Sequence, residues 1–425
     1  MPNKNRSTTL AIDFGTSHSL VGAFHQGQII PSIAIDPTYA DPSLMRTLLY
    51  FPETESCLFG HEALKKYLEN DMSGRLFRSF KSHLPNKNYL GTIINNRSMT
   101  LENMIGLFLL ELKTRSESYL KTEIKKTIIG KPARYSMDPN QDQLAMERMR
   151  NAANFAGFTE VHFMPEPLAA ALEFRKEIQK EKIILIGDFG GGTSDFTIMK
   201  ITNSEFSEND VLALDGCPLA GDYLDSVFMS QRLNQYFGAS TKYRLPMSSN
   251  VLSMPQAVIE RLNNPAHIVH LKEKETYNFI KEIQKCALKK EDQLAIERLF
   301  TLIEDQQIFS FFETIENTKK QLSKKSKDLF QFNYPDLIIS EIFASSDFET
   351  WSSTIKNEIQ KTIDRCLEQA QINSDQIDSI FLTGGTAHVP FIQNMFKDRF
   401  GNDKIQTKKH FHSVLSGLVQ QASLI

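Results

Sequence analysis

The chain has 425 residues, four cysteines, a formal net charge of −3, and 41% apolar against 23% charged residues. That length supports more than one packed lobe, while the near balance of charge excludes a global field drawing in nucleic acid or an anionic membrane. Cys57, Cys217, Cys286 and Cys366 form no Cys-x-x-Cys pair, the first residues lack the long apolar run of a signal peptide, and the apolar run Met104–Leu112 is too short to cross a bilayer, so a soluble cytoplasmic protein is expected.

From the N-terminus, the apolar run Leu10-Ala11-Ile12-Asp13-Phe14 reads as a strand that turns at Gly15-Thr16-Ser17 and returns through Leu20–Phe24. Glycine lets backbone amides approach phosphate oxygens, and the Thr16 and Ser17 hydroxyls add donors. Asp13, at the strand end, is placed to hold a hydrated cation. A mixed, turn-rich segment follows, carrying Arg75, Arg78 and Lys81. Met104, Ile105, Phe108, Leu109 and Leu112 recur at helical spacing and predict a helix over 101–119. Thr127–Gly130 predicts a short buried strand that stops at Pro132. Asp138-Pro139 then signals the start of a helix through Ala156, closed by Gly157. Val161–Phe163 predicts a strand, and Pro165-Glu166-Pro167 punctuates entry into a helix over Leu168–Phe174.

The glycine hairpin returns roughly 175 residues on, a domain-scale spacing rather than that of a solenoid repeat. Ile184–Gly187 leads into Asp188-Phe189-Gly190-Gly191-Gly192-Thr193-Ser194-Asp195, and Phe196–Met199 runs back. Two such hairpins facing each other would clamp one polyphosphate from both sides. From Gly238 to about Pro265 the composition shifts to Ser, Pro and Asn, which predicts a surface loop or insertion. Tyr277 to Lys327 is an almost uninterrupted, heavily charged helical pattern. Ile377–Leu382 predicts a strand that ends in Thr383-Gly384-Gly385-Thr386, a third glycine element suited to close backbone approach to an adenosine or α-phosphate. A helix over Phe391–Phe400 and a last helix from about Ser413 complete the pattern. Strands alternate with helices in both halves, so the class is α/β with mixed sheets.

Several chemistries are absent from the sequence. No Gly-x-x-x-x-Gly-Lys-Ser/Thr is present, so this is not a P-loop protein, and Asp-Phe-Gly occurs without the His-Arg-Asp loop of protein kinases. His61-Glu62 lacks a zincin's second histidine. His267 with His270, and His410 with His412, lack partners at metal-ligand spacing.

The ordered set resembles the actin-like ATPase superfamily, and within it the ATPase domain of the seventy-kilodalton heat-shock (DnaK-type) chaperone family. Asp188–Asp195 resembles that family's second phosphate signature, and Pro165-Glu166-Pro167-Leu168-Ala169-Ala170-Ala171 resembles its Asn-Glu-Pro-Thr-Ala-Ala-Ala segment. Glu316-Asn317-Thr318-Lys319-Lys320-Gln321-Leu322-Ser323 resembles its adenine-pocket helix. The chain looks most like the YegD-type branch, which lacks a peptide-binding domain. The resemblance implies an α/β actin-like ATPase fold of two lobes, each built on a mixed sheet with flanking helices, with a nucleotide cleft between them. It places lobe I at 1–186 plus 402–425 and lobe II at 187–401, with a helical insertion at about 238–334.

The resemblance also implies roles. Asp13 and Asp188 match the aspartates that hold hydrated Mg2+ and neighbouring K+, and Glu166 and Asp195 match acids near the attacking water. Lys81 is the best match to the catalytic lysine. Gly15, Thr16 and Ser17 match the first phosphate turn, and Gly190, Gly191, Gly192 and Thr193 the second. Gly221, Glu316, Lys319, Lys320, Ser323, Gly384, Gly385 and Thr386 fall at nucleotide-contacting positions. The implied activity is weak Mg-dependent hydrolysis of ATP to ADP that drives lobe closure, with a protein partner at the 238–312 insertion and neither nucleic acid nor membrane as partner. A sugar-type kinase and an actin-like nucleotide-dependent scaffold are the alternatives on the same superfold. The chain departs from the family at His18, beside the first turn, at Thr386-Ala387-His388, and at Phe411-His412-Ser413 before the last helix.

Overall fold

Apolar runs on both sides of each glycine turn need cover on two faces, and the chain provides it with two mixed sheets. The structure is a computed structural model. It describes residues 8–425 except 40, 54–55, 71–72, 95–96, 137, 176–179, 203–209, 265–266, 306 and 407–412, so the departure at Phe411-His412 lies outside the described residues.

Each glycine turn is the bend of an antiparallel hairpin. Thr9–Phe14 pairs with His18–His25, and Lys182–Phe189 pairs with Ser194–Ile201. Each first strand also takes a parallel neighbour from far along the chain, Lys126–Lys131 in one case and Ser379–Thr383 in the other. The first sheet has six strands, running Glu160–Pro165, Lys126–Lys131, Thr9–Phe14, His18–His25 and Gln28–Ile30, with Leu44–Arg46 also on His18–His25. The second has five, in the order Val211–Cys217, Ser194–Ile201, Lys182–Phe189, Ser379–Thr383 and Ile405–Gln406. The α/β class with mixed sheets expected from the sequence is borne out.

The chain divides into two compact units. The first comprises Met1–Pro218, Gln360–Ala387 and Phe396–Ile425, and it contains both sheets and all three glycine elements. One face of its first sheet, carrying Leu10, Ile12, Phe14 and Val21, packs with the helices Leu101–Leu120 and Pro139–Phe155. The other face, carrying Ala11, Leu20 and Ile128, shares a core with Ile184, Ile186, Met199 and Phe381 of the second sheet. The helices Glu166–Arg175 and Ser413–Ala422 supply the rest of that core through Leu168, Ala169, Leu415 and Leu418, so they join both sheets to one interior. Asp138 caps its helix by accepting from the Asn140 and Gln141 amides, with Pro139 in the first turn, as its residue types require. Glu166–Arg175 begins two residues before the expected Leu168, because Pro167 fits a helix's first turn and does not have to precede it.

The second unit comprises Leu219–Ile359 and His388–Met395. Here one expectation is corrected and one is resolved further. Within 238–265 the chain is not all loop: Lys242–Tyr243 pairs with Leu252–Ser253, and Gln256–Asn263 is a helix burying Val258 and Leu262. The almost uninterrupted helical pattern after Tyr277 is three helices, Lys274–Cys286, Lys290–Glu304 and Ile308–Leu322, which lie before the hairpin Lys327–Tyr334/Leu337–Ala344. No glycine or proline marks the breaks. Ala287 leaves the helix for extended backbone and bridges Tyr243, a tertiary contact that local propensity does not encode.

The two helices of the shared core approach at a glycine. A Cβ on Gly417 would lie 1.8 Å from the Ala169 carbonyl oxygen. In an exposed helix Gly→Ala stabilises by about 1 kcal/mol. At Gly417 the backbone clash reverses the sign, and we expect Gly417→Ala to destabilise by about 1–3 kcal/mol. Thermal denaturation followed by circular dichroism checks this, and an unchanged or raised midpoint contradicts the close approach.

Candidate phosphate and cation site

The first turn leaves no room for a side chain at Gly15, where a Cβ would meet the His18 carbonyl oxygen at 2.3 Å. Thr47, buried, braces the turn from outside: its amide donates to Ser17 O at 2.9 Å and its hydroxyl to Gly15 O at 2.8 Å. The Ser19 and Thr47 hydroxyls also hydrogen-bond at 2.9 Å. Thr16 is half-buried and Ser17 exposed, so the hydroxyls of the turn remain open to a ligand. His18 points toward Tyr39, whose hydroxyl lies 3.5 Å from Nε2.

The second turn closes through Gly190 N donating to Thr193 O at 2.9 Å, and Thr193 Oγ1 donates to Asp195 Oδ2 at 2.8 Å. Antiparallel register sets Asp188 opposite Asp195, and parallel register sets Asp188 beside Thr383. Thr383 Oγ1 donates to Asp188 Oδ1 at 2.7 Å. Gly384 follows with φ of +84°, and a Cβ there would meet the Phe189 carbonyl oxygen at 2.0 Å, so only glycine fits between the two strand ends. Thr386 is buried in the short 3₁₀ turn Gly385–His388.

Among Arg75, Arg78 and Lys81 the resemblance favours Lys81, and burial sets it apart as well. Arg75 is an exposed residue whose guanidinium donates to Thr92 Oγ1 and Ile93 O. Lys81 is 8% exposed, with Nζ donating to Phe14 O at 2.5 Å and to Glu166 Oε1 at 3.0 Å. Phe80, packed on Phe14 and Phe108, anchors the short 3₁₀ turn that presents it. Glu166 opens its helix directly from the end of the strand Glu160–Pro165, and its Cγ lies 3.2 Å from where a Gly130 Cβ would be.

These groups form one electrostatic cluster. Burial, then the Glu166 charge, pushes Asp13 up to about 8, with Lys81 opposing and Asp188 adding to the rise. Burial and Glu166 raise Asp188 to about 6 against the Thr383 hydrogen bond and Lys81. Burial raises Asp195 to about 7, opposed by Thr193 and reinforced by Asp188 and Glu166. Four acids share one ammonium, so the cluster lacks positive charge. Among the described residues no three acids, histidines or cysteines are placed to ligate an ion together. A hydrated ion held through water by one or two carboxylates remains compatible with that arrangement.

The remaining expected residues lie in the second unit. Lys319 is committed: Nζ pairs with Asp225 Oδ1 at 2.6 Å and donates to Gly221 O at 3.2 Å. Burial raises Asp225 to about 6, opposed by Lys319. Lys320 pairs with Glu316 at 2.7 Å on the exposed side of the helix, and Ser323 Oγ donates back to Lys319 O at 3.2 Å. Gly221 begins the helix Gly221–Phe228. Asp225 and Thr47 had no sequence signal, because each acts through a partner about thirty or more residues away. Gly216 also had no sequence signal: a Cβ there would meet Asp195 Oδ1 at 2.6 Å, so its bare backbone shapes the site.

A family model described as "Hsp70 protein" matches residues 58–256 and 292–424. Among curated proteins, Chaperone protein DnaK of Thermosipho africanus is 24% identical over the full length of this chain, as is Chaperone protein DnaK of Thermosipho melanesiensis. The chain spans about 60% of the length of each of these relatives.

The carboxyl values predict a pH response. Asp13, Asp188 and Asp195 hold protons in the folded state that the unfolded chain, with values near 3.8, has released. The ligand-free protein therefore loses stability as pH rises from about 4 to about 8. Asp13→Asn removes the largest part of this, raising the midpoint at pH 8 by on the order of 2 °C or more and changing it little at pH 4. Melting curves across that range check it, and a wild-type midpoint that rises steadily with pH contradicts it.

Proposed function

The chain belongs to the Hsp70 family and has its actin-like ATPase fold, and from that premise we propose that it binds ATP or ADP with Mg2+ and hydrolyses ATP slowly, as a chaperone-type protein of the YegD-type branch. The observation that carries this reading is the gathering of Asp13, Glu166, Asp188 and Asp195 around the Lys81 ammonium, beside two glycine turns.

The donor set fits a hydrated Mg2+, since the four acids carry more negative charge than Lys81 offsets and oxygen ligands suit a hard cation. Asp13 and Asp188 would hold it through water, and bound there it supplies neutralisation of phosphate charge. The protein's own groups do the rest. Amides of Gly15–Ser17 and Gly191–Thr193, with the Thr16 and Ser17 hydroxyls, donate to phosphate oxygens. Lys81 offers its ammonium to the charge that develops on the transferred phosphoryl. Glu166, fixed by Lys81, and Asp195, fixed by Thr193, orient the attacking water and accept its proton. Phosphoryl transfer depends on positioning and charge stabilisation more than on covalent catalysis, so this set suffices.

In the first unit Gly384, Gly385 and Thr386 are assigned to the nucleoside end; in the second, the family resemblance supports Gly221, Glu316, Lys320 and Ser323 as nucleotide-contacting residues. Lys319 is assigned to packing, because its ammonium is already paired with Asp225. The output is a nucleotide-linked change of conformation read by a protein partner. Segment 238–312 is assigned to that partner, supported by exposed apolar side chains at Met247, Val251, Phe279, Leu288 and Leu294.

Calorimetric titration with ATP and ADP, with and without Mg2+, tests the binding half of this reading. Asp188→Asn is expected to weaken Mg-dependent ATP binding by about tenfold or more while the fold is retained. Lys81→Ala is expected to lower hydrolysis by about a hundredfold, the cost of one lost charge-stabilising group. Wild-type affinity in Asp188→Asn removes the cation assignment. ADP release that depends on an added sugar and yields a phosphorylated sugar replaces the ATPase reading with a kinase.

A further inference from the structure

Arg148 is the most heavily engaged buried cation outside the cluster. It lies in the helix Pro139–Phe155 and is 5% exposed. Its Nη1 donates to His83 O at 3.3 Å, Leu84 O at 3.1 Å and Asn86 O at 3.0 Å, and its Nη2 donates to Tyr89 O at 3.1 Å. Nε lies 3.3 Å from Glu102 Oε1, at the start of the helix Leu101–Leu120. One guanidinium thus collects four backbone carbonyls from a seven-residue stretch and is charge-paired from behind.

That stretch begins two residues after Lys81. It has little regular structure of its own beyond single turns, Leu84 N to Lys81 O at 3.2 Å, Asn86 N to His83 O at 3.0 Å and Tyr89 N to Asn86 O at 3.1 Å. The His83 and Tyr89 rings stack at 4.3 Å, closing the loop on itself. Upstream, Ser79 enters the turn with φ of +54°, and Phe80 is sunk in the core. Lys81 is therefore held between two anchors, a phenyl ring before it and the Arg148 guanidinium after it.

We propose that Arg148 is a positioning residue for Lys81, setting through the 83–89 carbonyls the place of the ammonium on Phe14 O and Glu166. The residue type follows from the geometry. A planar guanidinium offers enough donors in a fixed fork to serve four carbonyls while its charge stays beside a carboxylate, whereas a lysine offers three donors from a single point. Burying that charge is tolerable because every direction it faces supplies an oxygen. The inference rests on the reading of Lys81 as a phosphate-facing group, and its primary test is independent of that reading.

The test is acylation of the full-length, nucleotide-free protein with acetic anhydride, with labelling at each lysine read by mass spectrometry. In the wild type, Lys81 is protected. In Arg148→Lys, labelling of Lys81 is expected to rise about tenfold through local opening of the loop. Lys113, buried to a similar degree in the same unit and paired with Glu117, should stay protected and so report that the fold is intact. Glu102→Gln keeps the guanidinium but removes its counter-charge, and it is expected to give a smaller rise at Lys81, which keeps the proposal testable if Arg148→Lys does not fold. Unchanged Lys81 labelling in a folded Arg148→Lys or Glu102→Gln protein overturns the proposal. In hydrolysis assays Arg148→Lys is expected to lower kcat by about tenfold with ADP affinity retained, as misplacement of one charged group does. The same change in a Lys81→Ala background is expected to cost nothing further, and an equal loss there assigns Arg148 a role other than positioning Lys81. A wild-type protein that hydrolyses no ATP removes the functional reading and leaves the labelling result to decide Arg148.

Discussion

The first unit is organised around an excess of negative charge in a place with little water. Asp13, Glu166, Asp188 and Asp195 share the ammonium of Lys81, and burial with mutual repulsion holds the three aspartates above their ordinary range. A cluster like this costs folding free energy in the absence of a cation, because the folded state must retain protons or tolerate repulsion. Active sites are where such costs concentrate, since a group poised to bind charge cannot also be neutralised by the protein.

Holding four acids together requires strand ends that cannot drift apart. Register does this on each sheet: Asp188 is opposite Asp195 and beside Thr383, while Asp13 sits one residue before the end of its own strand, opposite Leu20. Across the two sheets, the helices Glu166–Arg175 and Ser413–Ala422 share one core with both, and they approach at Gly417 to a distance that no other residue allows. The same helix that fills this core presents Glu166 at its first turn, so packing and placement of the acid come from one element. Close packing transmits small displacements, so a change in the core is felt at the strand ends.

A second tier of residues holds the first in place. Thr47 ties the first turn, Thr383 fixes Asp188, Gly216 makes room for Asp195, and Arg148 gathers the loop that follows Lys81. None of these carries the reactive charge. They matter for the proposed phosphate site because amides and carboxylates bind a ligand without reorganisation only if they are pre-placed.

The sequence by itself determined the local grammar. The apolar–Asp-Phe-Gly–apolar pattern specified both hairpins, Asp138-Pro139 specified a helix start, and the duplication of the hairpin pointed to phosphate, because glycine and hydroxyl chemistry at a strand turn is written in consecutive residues. Tertiary structure alone decided the rest. It buried Lys81 against Phe14 and Glu166, split the charged run after Tyr277 into three helices, and gave Lys319 to Asp225. Each of those outcomes depends on desolvation or on a partner distant in the chain. Neither quantity is a property of a residue and its immediate neighbours, so neither can be read from the order of amino acids alone.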